Sequence, residues 1–462
     1  MSKTELEALV AELRELIGSL RSTVETLNAT VVARDARIAE LESKLEESRR
    51  AGKRQAAPFS KGDPKPEPKR SGRKPGVAYG RRAVRPEPDR IDRELDAMLP
   101  EFCECGGEIE PLDTVAQFQI DLPKPVPVVT KFNVAVGRCQ CCQRRVQGRH
   151  PEQTSDAVGP VGGVQIGPHA IATGLVMHYQ HGLSFGRCAE LLGQLGVKVH
   201  ASTLVRAAER CAGGLEATCA ALLAELNASP VVTADETGWR IGGMPAWLWA
   251  VTTATTTVYA VREGRKFTDA TSLLDAAFSG VLVRDGYAPY RKYVEASHQS
   301  CTAHLLRRLV EMIADLPAEQ RGLARAVKAV FDDALAARDL DPGRRGEVFA
   351  DVTERIELLC AEAWIGDANR RLIKHLRNET DALFTYLIAD DVDATNWRAE
   401  QAIRPAAVNR KVWGGNRTRR GATIWAQIAT VLRTARLRQR DAIAMLVALA
   451  RQPGSAQLNA FA

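Results

Sequence analysis

The 462-residue sequence predicts a multidomain chain of α and α+β units, and three observations lead to that class. An apolar heptad occupies the first fifty residues, two cysteine pairs flank a Val- and Pro-rich stretch, and β-like runs after Pro230 give way to a long region of helical periodicity. The expected architecture is an N-terminal coiled coil, a cysteine ribbon, a helical helix-turn-helix-like domain, and a β-containing core carrying an all-helical insertion. Hydrophobic residues make up 45% of the chain, which excludes a mostly disordered protein.

The heptad places Val10, Ile17, Val24, Val31, Ile38 and Leu45 at a, and Leu6, Leu13, Leu20, Leu27 and Leu41 at d, with Arg34 as its one break. Branched residues at a with Leu at d favour a parallel two-stranded coiled coil, so residues 1–50 are expected to hold a homodimer. A single amphipathic helix lying on the body of the protein is the alternative.

Residues 51–90 form a basic Pro- and Gly-rich linker. From Arg50 to Arg90 there are thirteen Lys or Arg against four Asp or Glu, an excess of nine in a chain whose net charge is +7. A polyanion such as nucleic acid is the natural counterpart, and a solvated linker the alternative. The segment Ser71-Gly72-Arg73-Lys74-Pro75-Gly76 has the composition of a basic arm that enters the minor groove, which makes Arg73 and Lys74 candidate DNA contacts. No run of eighteen apolar residues and no secretory signal occurs, so the expectation is a cytoplasmic, nucleoid-associated protein without a membrane partner.

In a reducing compartment, ten cysteines favour metal ligation over disulfides wherever they cluster. Residues 91–150 contain Cys103-Glu104-Cys105 and Cys139-Gln140-Cys141-Cys142, joined by a stretch that reads as strands. Cys103, Cys105, Cys139 and Cys142 supply the four thiolates of a zinc-ribbon-like domain. The first pair is C-x-C, one residue short of C-x-x-C, which leaves a metal-free ribbon open. Residues 151–229 read as a helical DNA-binding domain, with a helix from Leu183 to Leu195, a turn at Gly196 and Ser202 capping the next helix.

After Pro230, Val231 to Ala234 leads to Asp235, and β-runs follow at Ala246–Thr253 and Thr257–Arg262. A helix from Thr268 to Phe278 then leads to Val281-Leu282-Val283 and Asp285. Strand, strand, strand, helix, strand, with Asp on the first and after the fourth, is the pattern of an RNase H-like catalytic core in which those two strands are neighbours. The core is expected in two parts, 230–300 and 391–450, around a helical insertion at 301–390. A third acid from a later helix completes such a site, and Glu400 is the best candidate. Three carboxylates suit hard cations: two Mg²⁺ or Mn²⁺ ions about 4 Å apart clamp the attacking and leaving oxygens of a phosphodiester displacement. Glu236 is a possible substitute ligand, disfavoured because neighbouring strand residues face opposite ways.

The segments Ala234-Asp235-Glu236-Thr237-Gly238-Trp239, Arg284-Asp285-Gly286-Tyr287-Ala288-Pro289-Tyr290, Cys301-Thr302-Ala303-His304, and Glu400 through Lys411 resemble transposases of the insertion-sequence-66 family. The likeness runs from the coiled coil to about Leu446. It implies a DDE transposase with Asp235, Asp285 and Glu400 as catalytic, metal-holding residues, acting on DNA at the element's terminal inverted repeats and on target DNA. It also implies two small accessory proteins as partners. Cys301 and His304 are read as structural, with His298 as a further member of any metal group there. Trp397 and Gln401 depart from the family pattern next to Glu400.

Arg404, Arg410, Lys411, Arg417, Arg419 and Arg420 follow Glu400 and suit phosphates, or else form a solvated loop. Trp413 is either a base-stacking residue or part of the core. The expected chemistry is water-driven cleavage followed by attack of the freed 3′-hydroxyl on target DNA, with no covalent protein intermediate. The rivals are a catalytically silent DNA-binding repressor or architectural protein derived from a transposase, and a nuclease on the same fold that cuts without joining.

Overall fold

The computed structural model describes residues 14–32, 34, 35, 38, 41, 86–123, 125–159, 163–451 and 461. No helix among them is long and apolar enough to cross a membrane. The chain divides into two units, Met1–Asp121 and Leu122–Ala462.

In the first unit, residues 14–32 form helix α1. Its heptad residues Ile17, Leu20, Val24, Leu27 and Val31 are 50–58% exposed, an uncovered apolar stripe along one side. Leu6, Val10, Leu13 and Leu45 of the heptad, and Arg73 and Lys74 of the basic arm, lie outside the described residues. Further on, Cys103 and Cys105 sit in a tight turn. Cys103 N donates to Gly107 O at 2.9 Å and Gly106 N to Cys103 O at 2.8 Å, with Gly106 in the left-handed region at φ +87°.

The second unit begins with a hairpin, β1 (Val136–Arg138) and β2 (Arg145–Gln147), whose tip holds Cys139, Cys141 and Cys142. The stretch before it, expected as strands, forms none among the described residues. Pro123, Pro125 and Pro127 remove ladder donors at alternate positions, all along one edge.

Helices α2 (Pro168–Tyr179), α3 (Phe185–Gln194), α4 (Ala201–Gly214) and α5 (Glu216–Asn227) follow. The turn from α3 to α4 passes through Gly196 at φ +88°. The cap differs from expectation. Ser184 caps α3 by accepting from Arg187 N at 3.3 Å, whereas Ser202 lies inside α4, whose N-cap is His200. The carbonyl of His200 already accepts from Thr203 N, so the helix starts before Ser202 is reached.

A five-stranded sheet is built from β3 (Val231–Ile241), β4 (Met244–Thr252) and β5 (Thr257–Arg262), then, after the single turn of helix α6 (Phe267–Ala270), β6 (Val281–Arg284) and β7 (Ser297–Ser300). Its order is β5-β4-β3-β6-β7, with β3 antiparallel to β4 and parallel to β6. The first and fourth strands are thus neighbours, as the sequence pattern predicts. Three details differ. Strand β3 continues past Asp235 to Ile241 and reverses through Gly242-Gly243, both with positive φ (59° and 83°), a two-residue hairpin turn. The helix expected over Thr268–Phe278 is reduced to α6, because Asn227 of α5 diverts the backbone that would extend it. Its Nδ2 donates to Leu273 O at 3.0 Å and its Oδ1 accepts from Asp275 N at 2.7 Å. Strand β7, with the polar sequence Ser-His-Gln-Ser, has no apolar alternation to announce it.

The insertion comprises α7 (Thr302–Asp315), α8 (Gly322–Ala336), α9 (Pro342–Ala361), α10 (Asp367–Glu379) and the short α11 (Thr385–Ile388). It folds around its own core, in which Leu309, Leu323, Val327, Phe331, Val352 and Leu372 are fully buried. The chain then returns through α12 (Trp397–Trp413), α13 (Arg419–Leu437) and α14 (Ala442–Arg451). These share one apolar cluster with the sheet and with α2, α4 and α5, in which Leu175, Leu226, Val232, Trp249, Leu282, Trp425 and Ile428 are almost wholly buried. Helix α13 also covers the sheet's edge: Thr434 Oγ1 accepts from Thr257 N at 3.1 Å and Thr430 Oγ1 from Tyr259 N at 3.0 Å. Backbone donors on β5 that would otherwise invite another strand are satisfied there.

Candidate active site

The register of β3 on β6 pairs Val231 with Val281 and Thr233 with Val283. The same offset carried two residues further sets Asp235 level with Asp285, the first residue past β6. Level residues on neighbouring parallel strands share a face and stand about 5 Å apart. Asp285 is oriented by its own loop, its Oδ1 accepting from Tyr287 N at 2.9 Å. Glu400 lies in the first turn of α12, which packs along β3 and β4. A strand, a strand end and a helix well over a hundred residues downstream bring three acids into one electrostatic neighbourhood.

The consequence falls on Asp235. Burial, then the charges of Glu236, Asp285 and Glu400, push its carboxyl up to about 8, and the bond it accepts from Glu236 N at 2.9 Å offsets only part of this. Carboxylates crowded in a low-dielectric place cannot all ionise without a compensating cation. The donor set is all oxygen, which fits Mg²⁺ or Mn²⁺. As placed, no three His, Cys, Asp or Glu side chains among the described residues are gathered closely enough to hold a metal ion. The Glu400 side chain is 47% exposed, with Oε1 3.6 Å from His304 Nε2.

Glu236 points to the opposite face of β3 and is held there. Tyr290 Oη donates to its Oε2 at 2.6 Å, and Arg265 Nε and Nη2 donate to its Oε1 at 2.9 and 2.5 Å. Arg265 is itself clamped between rings, 4.4 Å from the centroid of Trp247 and 3.8 Å from that of Tyr287. Burial raises the Glu236 carboxyl while Tyr290 and Arg265 draw it down. These contacts explain the aromatic residues of the Asp285-Gly286-Tyr287-Ala288-Pro289-Tyr290 segment: the loop after one acid grips the neighbour of the other.

Cys301 sits at the N-cap of α7 and is buried, and Thr302 anchors that helix end by donating to Ala394 O from both N and Oγ1. Burial raises the Cys301 thiol, against the backbone amides of Asn396, His304 and Ala303. His298 does not extend this pair: its ring nitrogens are engaged by Arg284 Nε at 3.3 Å and Tyr293 O at 2.9 Å. The Cys-x-x-His segment therefore fixes the start of the insertion against the segment that leads into Glu400. Asn396, wholly buried just before α12, has no hydrogen-bond partner for its side-chain amide among the described residues.

The basic residues form a rail and not a ring. Arg404 lies one turn past Glu400, whereas Arg410 and Lys411 lie in the last turn of α12, about 15 Å along the helix axis. Arg410 is half-buried and is held below its usual range by burial and by Arg240. Beyond the helix, Asn416 bonds Arg240 O and Gly242 N, so Arg417 is carried at the far end of β3. Arg419 pairs with Glu263 at 2.5 Å and Arg420 with Glu209 at 3.5 Å, both largely exposed, which places these two in surface ion pairs. Trp413 packs into the core, 5.4 Å from the ring of His178 and 5.7 Å from that of Trp239.

Each cysteine pair, taken by itself, has the bend of a half-site for a soft cation. Hydrogen bonds from Gly107 N and from Cys103 lower the Cys105 thiol, and those from Cys142 and Cys141 lower the Cys139 thiol. The sequence pattern does not single out Arg265, which holds Glu236, or His375, which lies against Gly286; both belong to no motif, although the Tyr287 and Tyr290 rings are visible beside Asp285.

The sequence profile of the Transposase IS66 family matches residues 163–424, more than half of the chain. A protein of Sinorhizobium fredii (strain NBRC 101917 / NGR234), named Uncharacterized protein y4qI, is 23% identical over 231 residues. The matched region covers 42% of this chain and 41% of that relative's length.

Proposed function

This chain belongs to the Transposase IS66 family, and from that premise we propose that it binds the terminal inverted repeats of its insertion sequence, cuts there and joins the freed end to target DNA. The observation that carries the reading is the register that sets Asp235 level with Asp285 on neighbouring strands, with Glu400 near enough that, after burial and the charge of Glu236, the charges of Asp285 and Glu400 help to raise the Asp235 carboxyl. The strand order β5-β4-β3-β6-β7, with acids on the first strand and after the fourth, supports an RNase H-like core.

In this reading Asp235, Asp285 and Glu400 hold Mg²⁺ or Mn²⁺, which when bound supplies Lewis acidity to the scissile phosphodiester. The chain's own contribution is placement. Asp235 would release its proton on taking a cation, the Tyr287 amide fixes the Asp285 carboxylate, and the Glu236–Arg265–Tyr290 network ties together the segments that carry the two strands' acids. Arg404, Arg410, Lys411 and Arg417 lie along α12 and beyond it, where a duplex end leaving the site would present phosphates. The exposed heptad on α1 supports pairing of two copies, one for each element end.

The test is nicking of a labelled element-end duplex with Mg²⁺. The wild-type chain should cut at the end, and Asp285→Asn should bind the same duplex and leave it intact. If the wild type binds without cutting, with accessory proteins supplied, the chain is a silent DNA-binding descendant of a transposase.

A further inference from the structure

We propose that Arg308 and Arg371, both from the helical insertion, form a seat for the phosphodiester backbone of the DNA substrate beside the second and third acids. The inference rests on the transposase reading and adds a substrate contact contributed by the insertion.

The geometry starts from the two ends of the acidic site. On α7, His304 lies 3.6 Å from Glu400, and Arg308 is one turn further along the same helical face. On α10, Glu379 is buried and bonded to Arg284 and Arg291, which flank Asp285. One turn earlier, His375 lies against the loop after Asp285: a Cβ on Gly286 would stand 3.2 Å from its Cε1. Arg371 is one turn earlier again on that face. One helix therefore leads away from Glu400 and the other from Asp285, and each presents an arginine at the next turn.

The two helices bring these charges within reach of one another: burial and then the charge of Arg371 hold Arg308 below its usual range, and burial lowers His375, with Arg308 adding to it. Neither arginine makes an ion pair or hydrogen bond among the described residues, and the nearby acid, Glu379, is already engaged by Arg284 and Arg291. Elsewhere in the insertion Arg345 pairs with Asp390, Arg355 with Asp333 and Asp351, and Arg377 with Cys360 O. Two guanidinium groups without a carboxylate partner, Arg308 half-buried and Arg371 exposed, are a recognition set for an anion with several oxygens, and guanidinium forks fit a phosphate bidentately. The free protein tolerates their repulsion, and the ligand relieves it.

The experiment uses the full chain with Arg308→Gln/Arg371→Gln and a labelled duplex, measuring affinity by fluorescence anisotropy across a range of KCl. The salt slope of log affinity should fall by about two, one for each lost phosphate contact, and about equally for element-end and unrelated duplexes. The melting temperature without DNA should stay level or rise, because like charges have been removed. Arg308→Lys/Arg371→Lys should recover most of the salt slope. An unchanged slope in the Gln variant, with wild type binding normally, overturns the seat alone, and so does a clear fall in melting temperature, which would make the pair structural. A wild-type chain with no salt-dependent affinity for duplex overturns both the seat and the transposase reading beneath it.

Discussion

Tyr290 Oη donates to Glu236 Oε2 at 2.6 Å, and that bond ties the loop following Asp285 to the strand that carries Asp235. Tyr290→Phe keeps the ring and removes the donor, leaving a buried carboxylate one partner short. The cost should be about 1–3 kcal/mol of stability. If the network sets the spacing of the two acids, the Mn²⁺ concentration for half-maximal cleavage should rise by roughly tenfold, equivalent to about 1.4 kcal/mol of cation binding. A thermal melt and a Mn²⁺ titration of cleavage measure the two effects separately. Lost stability with an unmoved titration midpoint would make the bond purely structural.

Asp235→Asn should abolish cleavage and stabilise the metal-free protein. The carboxyl is raised in the folded state to about 8, so its favourable contribution is present below its ordinary value near 3.8 and is lost as pH rises through about 8. The gain from the amide should therefore be small in acid and largest above about pH 8. Each unit of elevation corresponds to about 1.4 kcal/mol, and each kcal/mol to about 2–4 °C for a unit of this size. Melting curves of both proteins in chelator at pH 5 and pH 9 decide it; a variant less stable at pH 9 would mean that burial and the neighbouring acids do not hold Asp235 protonated.

His178 provides an acid limit of opposite origin. Its ring stacks on Phe185 at 3.8 Å, it is buried, and its Nδ1 donates to Leu183 O at 2.7 Å, so burial lowers it to about 4. A base depressed in the folded state contributes stability that is present above its ordinary value of 6.5 and is lost as pH falls toward about 4. The loss from this one residue should be on the order of 3 kcal/mol. His178→Phe leaves the Leu183 carbonyl with only the weak Cys188 thiol donor and should be the less stable protein at pH 7, yet its deficit should shrink or reverse by pH 4.5. A constant difference in melting temperature across that range would exclude the assignment.

The coiled coil gives a mass prediction. Residues 14–32 show the apolar stripe uncovered, and a chain lacking residues 1–46 should run as a monomer in light scattering at micromolar concentration while the full chain is a dimer. A truncated chain that remains dimeric would place the interface elsewhere.

What could be read in the sequence divides along the range of the interactions. Helical periodicity marked the insertion as all-helical, and the order of β-runs with Asp235 and Asp285 placed the acids on adjacent strands. Local chemistry set by a distant partner was not legible. Asn227 shortens α6 from another helix, Thr430 and Thr434 cover the edge of β5, and the polar strand β7 is held through Gln299 and Thr385 by the insertion. The Pro-rich stretch before the hairpin misled for the reverse reason: its Val residues suggest strands, while three alternate prolines forbid the ladder. At the site, the acids announced themselves by spacing, whereas Arg265, Arg308 and Arg371 matter only through what the fold sets beside them.

The most direct measurement is a gel assay of labelled element-end DNA with Mg²⁺ or Mn²⁺, comparing the wild type with Glu400→Gln. The substitution preserves shape and removes one charge from the carboxylate group. The wild type should cut at the element end and join it to a second duplex, and Glu400→Gln should bind the same DNA and do neither. Equal cutting and joining by both proteins would show that Glu400 is not the third acid and would contradict the site described above.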